Sequence, residues 1–109
     1  MKSLITGIKP TGQIHLGNYL GAFKPAFEFQ DEYHCNIFLA NLHALTTFQN
    51  GAELKKYSEN LAIDLLSLGL DPQKSTFFIQ SQIPEHSELM WILSSLAPMG
   101  LLERAHAWK

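Results

Sequence analysis

Three short, nearly unbroken apolar runs constrain this chain most: Ser3 to Ile8, Cys35 to Ala40 and Ser75 to Gln80. Each is too short for a buried helix, and helical patterns separate them. Strands apolar on both faces belong to parallel sheets with helices packed against them. Right-handed crossovers then give β-α-β-α-β with strand order 3-2-1, half of a doubly wound sheet, followed by helices. The fold class is α/β, and its length of 109 residues suits one domain with a small core.

The intervening segments carry helical period. From Leu16 to about Gln30, the residues Leu16, Tyr19, Leu20, Phe23 and Phe27 recur at helix spacing. Pro25 interrupts that run, so a kink or an early break is expected there. Gly51 to Leu68 is the clearest helix. Asn50 is placed to cap it, Glu53 follows three residues later, and Gly69 ends it. Its apolar stripe is Leu54, Tyr57, Leu61, Leu65 and Leu68. Pro84 starts a helix over about Glu85 to Leu96, and a last short helix is expected from Gly100 to Trp108. Met90, Trp91 and Trp108 are read as core or subunit interface rather than as a ligand site.

Composition narrows the class of function. The formal net charge is −2, and the eight Lys and Arg residues are scattered. A dedicated nucleic-acid surface in this segment needs clustered cations, which are absent from the pattern. A nucleic acid held mainly by residues elsewhere is not excluded. The single cysteine, Cys35, has no internal disulfide partner and points to a reducing, cytoplasmic setting. It opens an apolar run and reads as a buried, unreactive thiol rather than a nucleophile. No run approaches the ~20 apolar residues of a membrane span. His34, His86 and His106 have no partners at metal-ligand spacing, so no protein metal site is expected.

Ligands of such sheets bind beyond the carboxyl ends of the strands. Two distinctive loops lie there, Lys9 to Gly17 and Asn41 to Thr46. The first has the makings of a phosphate cradle. Gly12 permits a tight turn, and Gly17 removes a side chain where a base or phosphate would approach. Helix-start N–H groups and the helix dipole favour an anion. His15, Asn18 and Thr11 add donors, and Lys9 adds a full charge. The spacing matches neither Gly-x-x-x-x-Gly-Lys-Ser/Thr nor Gly-x-Gly-x-x-Gly. On pattern alone, a glycine-rich strand-to-helix turn with a solvated His15 remains open beside the phosphate reading.

The stretch Gly7-Ile8-Lys9-Pro10-Thr11-Gly12, followed by His15-Leu16-Gly17-Asn18-Tyr19-Leu20-Gly21-Ala22, resembles the N-terminal signature of tryptophan–tRNA ligases. His15-Leu16-Gly17-Asn18 matches that family's form of the class I synthetase HIGH motif. Collinear matches continue through Asn41-Leu42-His43-Ala44-Leu45-Thr46, Phe78-Ile79-Gln80-Ser81-Gln82-Ile83-Pro84 and Leu102-Glu103-Arg104. The sister family of tyrosine–tRNA ligases has a related loop, but Asn18 and the Gly-Asn-Tyr-Leu-Gly-Ala continuation favour the tryptophan enzymes. Lys9 stands where that family often has glutamine.

The resemblance implies a Rossmann-like nucleotide-binding domain, of which residues 1–109 form the N-terminal half, and an ATP-dependent ligase that activates tryptophan and transfers it to tRNA(Trp). It implies catalytic roles for His15 and Asn18, and ATP contacts from Lys9, Pro10, Thr11, Gly17 and Asn18. Ile5, Gly7, Ala40 and His43 would line one side of the tryptophan pocket. His43 has a second reading, as a helix-start residue bonded to a backbone carbonyl. Mg²⁺ would arrive with ATP rather than in a protein cage, and the segment after Pro84 would contribute to a homodimer. The family's acidic indole-reading residue, its KMSKS loop and its anticodon-reading region have no match here. The expectation is therefore an N-terminal piece of a longer ligase, without full activity alone and with the first strand left as an open edge. The alternative is a non-catalytic half-domain that binds ATP or a partner chain.

Overall fold

The computed structural model describes residues 2–105. Strands β1 (Ser3–Ile8), β2 (His34–Leu39) and β3 (Ser75–Ile79) form one parallel sheet in the order β1-β2-β3. This is the expected α/β arrangement. The register runs from Ser3 opposite His34 to Ile8 opposite Leu39, and from Cys35 opposite Ser75 to Leu39 opposite Ile79. The three strands therefore finish at one edge, and every loop that follows a strand emerges there. β2 and β3 are each one residue shorter at their carboxyl ends than the apolar runs suggest. Gln80–Gln82 winds instead into a 3-10 turn.

One face of β2 carries the core. Cys35, Ile37 and Leu39 are fully buried, and Ile37 and Leu39 pack with Phe23, Ala26, Leu61, Leu65 and Leu70. Burying each large aliphatic side chain stabilises the fold by about 2 kcal/mol. The opposite face holds Ile5 and Gly7 of β1 in register with Asn36 and Phe38 of β2, and these with Thr76 and Phe78 of β3. That face is more open. Ile5 is 67% exposed, and Phe38 stacks on Phe78 with ring centroids 5.4 Å apart.

The helical run after β1 is not one α-helix. It comprises α1 (Leu16–Asn18), a π turn (Tyr19–Phe23), α2 (Lys24–Glu28) and a 3-10 turn (Phe29–Asp31). The expected interruption at Pro25 is resolved by widening. The Lys24 N–H bonds to the Tyr19 carbonyl five residues back, just before the proline that has no N–H to give. The extra residue in the π turn breaks the simple stripe. Phe23 and Ala26 are buried, whereas Leu16 and Leu20 are exposed, contrary to the apolar period.

Helices α3 (Asn41–Ala44) and α4 (Gly51–Leu68) follow β2. Asn50 caps α4, its Oδ1 accepting from the N–H groups of Ala52 and Glu53. Gly69 ends it at φ 120°, a conformation in which a side chain is strained. Leu54, Leu61 and Leu65 are buried as expected, but Leu68 in the last turn is exposed. Ser58 takes an inward place instead, donating to the Leu54 carbonyl.

Gln30 joins three connections. Its Nε2 donates to the carbonyls of Phe27 and Gly69, and its Oε1 accepts from the Asp71 N–H and the Ser75 hydroxyl. All four capacities of this buried amide are used. An ion pair of 2.7 Å between Lys74 and Asp31 braces the same corner from outside.

Helix α5 (Pro84–Leu96) begins at the proline. Met90 and Trp91 are 57% and 72% exposed, so they are not core among the described residues. Leu89, Ile92, Leu93 and Leu96 are also exposed, and His86 near the start of the helix meets the Phe38 and Phe78 rings, each with centroids 6.3 Å away. Helix α6 spans Met99–Leu102, shorter than the expected Gly100 to Trp108. Pro98 sets its start and Glu103 caps its carboxyl end, while His106 to Trp108 lie outside the described residues.

Replacing Gln30 by alanine leaves buried donors and acceptors without partners, and is expected to lower unfolding stability by about 3 kcal/mol in urea titration. A loss under about 1 kcal/mol would show that water substitutes for the amide. Burial pushes the Cys35 thiol up from its ordinary value. Thiolate then forms only at higher pH than for a free thiol, so Cys35 is expected to resist a thiol-specific disulfide reagent at neutral pH and to react once denaturant opens the core. Rapid labelling of the native chain would contradict that.

Candidate functional site

The loop after β1 builds the first part of the site. Pro10 is fully buried and anchors the turn. Gly12 has φ 135°, which a residue with Cβ rarely adopts. The turn delivers the chain to His15, which caps α1 reciprocally. The Asn18 N–H donates to His15 Nδ1 at 3.3 Å, and the His15 N–H donates to Asn18 Oδ1 at 3.1 Å. Because Nδ1 accepts, the imidazole proton sits on Nε2 and is left as a donor. A Cβ on Gly17 would lie 3.1 Å from the His15 ring. Glycine at that position therefore gives the capping ring its room.

A cavity of about 290 Å³ opens at the carboxyl end of β1. Gly7, Lys9, Thr11, Gly12 and Asn18 line it, with Phe23 and Leu61 of the core behind. Three of the expected ATP residues, Lys9, Thr11 and Asn18, thus come together. Pro10, His15 and Gly17 lie outside the lining: Pro10 supports the turn, and His15 and Gly17 shape the start of α1. A cation, a hydroxyl and a carboxamide beside an apolar wall suit a ligand with an anionic part and a flat part.

The four expected tryptophan-pocket residues are more dispersed. Gly7 borders the cavity, and a Cβ there would lie 2.4 Å from Phe38 Cζ, so the Phe38 ring extends over the glycine. Ile5 lies on the open face of the sheet. Ala40 is buried at the end of β2, where its N–H donates to the Ile8 carbonyl at 2.8 Å. His43 is exposed on α3; its carbonyl accepts from Thr46 Oγ1 at 2.8 Å.

Two ties were not legible in the sequence. Lys9 Nζ donates to Thr47 Oγ1 at 2.7 Å and to Thr46 Oγ1 at 3.3 Å, joining the loops after β1 and β2. Thr46 lay in a stretch marked by its position after a strand, but no spacing rule links a lysine to hydroxyls nearly forty residues away. Asn41 pairs with Ser81 in both directions, Nδ2 to Oγ at 2.8 Å and Oδ1 from the Ser81 N–H at 3.1 Å. That second tie joins the loops after β2 and β3. Among the described residues, no three His, Cys, Asp or Glu side chains gather as metal ligands would, and no helix is long and apolar enough to cross a membrane.

The His15–Asn18 pair is one reciprocal unit. His15→Ala and Asn18→Ala are each expected to cost about 1 kcal/mol of stability, and the double variant little more than either. Full additivity in thermal or urea unfolding would show that the two side chains act separately.

The family described as tRNA synthetases class I (W and Y) matches residues 2–109. The tryptophan–tRNA ligase of Fusobacterium nucleatum is 48% identical over 109 residues, which are 100% of this chain and 34% of that protein. The crystal structure of tryptophanyl-tRNA synthetase from Campylobacter jejuni complexed with ADP and tryptophan is 50% identical, with TM-score 0.89, over 97% of this chain and 33% of that one. The Mycoplasma pneumoniae tryptophanyl-tRNA synthetase structure is 38% identical, with TM-score 0.88, over 97% of this chain and 32% of that one. The chain spans about a third of the length of the curated relatives it matches.

Proposed function

The chain belongs to the class I tRNA synthetases (W and Y), and from that membership we propose that it supplies the ATP side of a tryptophan–tRNA ligase. The observation that carries this reading is the gathering of Lys9, Thr11 and Asn18 about one cavity at the carboxyl edge of the sheet. A solved relative half identical to this chain is complexed with ADP and tryptophan. In the proposed reaction the tryptophan carboxylate oxygen attacks the α-phosphorus of ATP. The bond to pyrophosphate breaks, giving tryptophanyl-adenylate. A ribose hydroxyl of tRNA(Trp) then attacks the acyl carbon, and AMP leaves. Neither step needs a protein nucleophile, so the work is positioning and charge stabilisation.

In this reading Lys9 faces the phosphates, and Thr11 and Asn18 donate to the phosphates or ribose. Pro10 and Gly17 shape the nucleotide's bed, and His15 holds the loop while presenting Nε2–H. Ile5, Gly7, Ala40 and His43 border the amino acid. Mg²⁺ enters with ATP, held chiefly by phosphate oxygens and water. The exposed apolar residues of α5 support a homodimer interface over that helix, and the lone buried cysteine supports a cytoplasmic setting.

The test is a chimaera in which residues 1–109 replace the matching third of the Campylobacter jejuni enzyme. It is expected to catalyse tryptophan-dependent exchange of pyrophosphate into ATP, and Asn18→Ala in it to lower kcat/KM by about a hundredfold. A soluble, folded chimaera that binds neither ATP nor tryptophan would overturn the reading. Exchange driven by tyrosine in preference to tryptophan would move it to the sister specificity.

A further inference from the structure

The Lys9 ammonium is held in place without being neutralised. Lys24, Lys55 and Lys74 each lie within 4 Å of a carboxylate, at 3.7 Å from Glu28, 3.8 Å from Glu59 and 2.7 Å from Asp31. The acceptors found for Lys9 are instead two neutral hydroxyls, Thr47 Oγ1 at 2.7 Å and Thr46 Oγ1 at 3.3 Å. A carboxylate would fix the ammonium but cancel its field. A hydroxyl fixes it and leaves the charge for another anion.

The hydroxyls are themselves aimed. Thr46 Oγ1 gives its proton to the His43 carbonyl at 2.8 Å, which leaves its lone pairs for Lys9. The backbone beneath is hung from Ala44, whose carbonyl accepts from the N–H groups of Thr47 and Phe48, each at 2.9 Å. Ala44 is completely buried. The cradle therefore stands on the core, although the threonines are at the surface. A lysine side chain loses much rotamer freedom when it binds a ligand. Here part of that freedom is already surrendered, with Nζ held beside the cavity that Lys9 lines.

We propose that Thr46 and Thr47 are positioning residues that hold the Lys9 ammonium, undischarged, for the triphosphate of the nucleotide. This rests on the ATP reading of the cavity and deepens it. The two threonines act through Lys9 and need not touch the nucleotide. Their contribution is thus confined to ligands that carry phosphate.

The experiment is calorimetric titration of the full chain with ATP and, separately, with adenosine. Thr47→Val is expected to weaken ATP about fivefold, and Thr46→Val with Thr47→Val about tenfold, with adenosine affinity unchanged. Thr47→Ser, which restores the hydroxyl, is expected to recover affinity to within about twofold. In a Lys9→Gln chain the Thr47→Val change is expected to have no further effect on ATP. Thr47→Ala serves for the same comparison if the valine variant does not fold, as judged by its urea midpoint.

Equal losses for ATP and adenosine would assign the threonines a structural role and overturn the proposal, leaving the ATP reading standing. Unchanged ATP affinity in Thr47→Val, or a loss that persists in the Lys9→Gln chain, would overturn it likewise. Binding of neither ligand by the unsubstituted chain would overturn the ATP reading and the proposal together.

Discussion

Burial of one face of β2 is the constraint on which the rest of this structure depends. Ile37 and Leu39 are sealed against Leu61, Leu65 and Phe23. That packing fixes α4 and the helical run after β1 on one side of the sheet. Because both neighbours of β2 run parallel to it, the three strands release their loops at the same edge. A parallel sheet can only be connected by crossovers, so the gathering of Lys9, Thr11 and Asn18 with the Asn41–Thr47 stretch follows from the topology. The side-chain ties, Lys9 to the threonines and Asn41 to Ser81, then lock loops that the backbone had already made neighbours.

The strands, their order and the placement of the first loop were legible because they rest on local pattern. Apolar runs, a glycine-rich turn and a capping asparagine each declare themselves within a few residues. The missed features have another origin. Pro25 announced trouble, but whether a helix answers by breaking or by widening into a π turn depends on what Phe23 and Ala26 bury against. Gln30 reads as one more polar residue near a helix end, and its role appears only when Gly69, Asp71 and Ser75 fold back to it. The resemblance named Lys9, Thr11 and Asn18 together, and the structure brings them to one cavity. The capping of Asn18 by His15 is a three-residue relationship that spacing alone could have suggested.

The most apolar surface lies on the helix that starts at Pro84. A helix hydrophobic on all sides is ordinarily buried, yet Leu89, Met90, Trp91, Ile92, Leu93 and Leu96 are each at least 55% exposed. On the sheet, Ile5 is open as well. The core beside it is nevertheless closed, with Ile37, Leu39 and Leu65 fully buried. The burial is uneven: the β2–α4 layer is closed, and the faces on the other side are open.

Net charge would have argued against a polyanionic ligand, since the chain carries −2 overall. Local placement decides the matter instead. At the ionic strength of a cell, charges more than about 8 Å apart are largely screened when exposed, so a ligand in the cavity responds to the groups that line it. There the cation is Lys9, and its hydrogen-bond acceptors are neutral. Acidic residues such as Asp31, Glu28 and Glu59 are engaged with other lysines. Pairing those surface charges with one another, while giving Lys9 hydroxyls in place of a carboxylate, lets a mildly acidic chain present a positive point at the cavity.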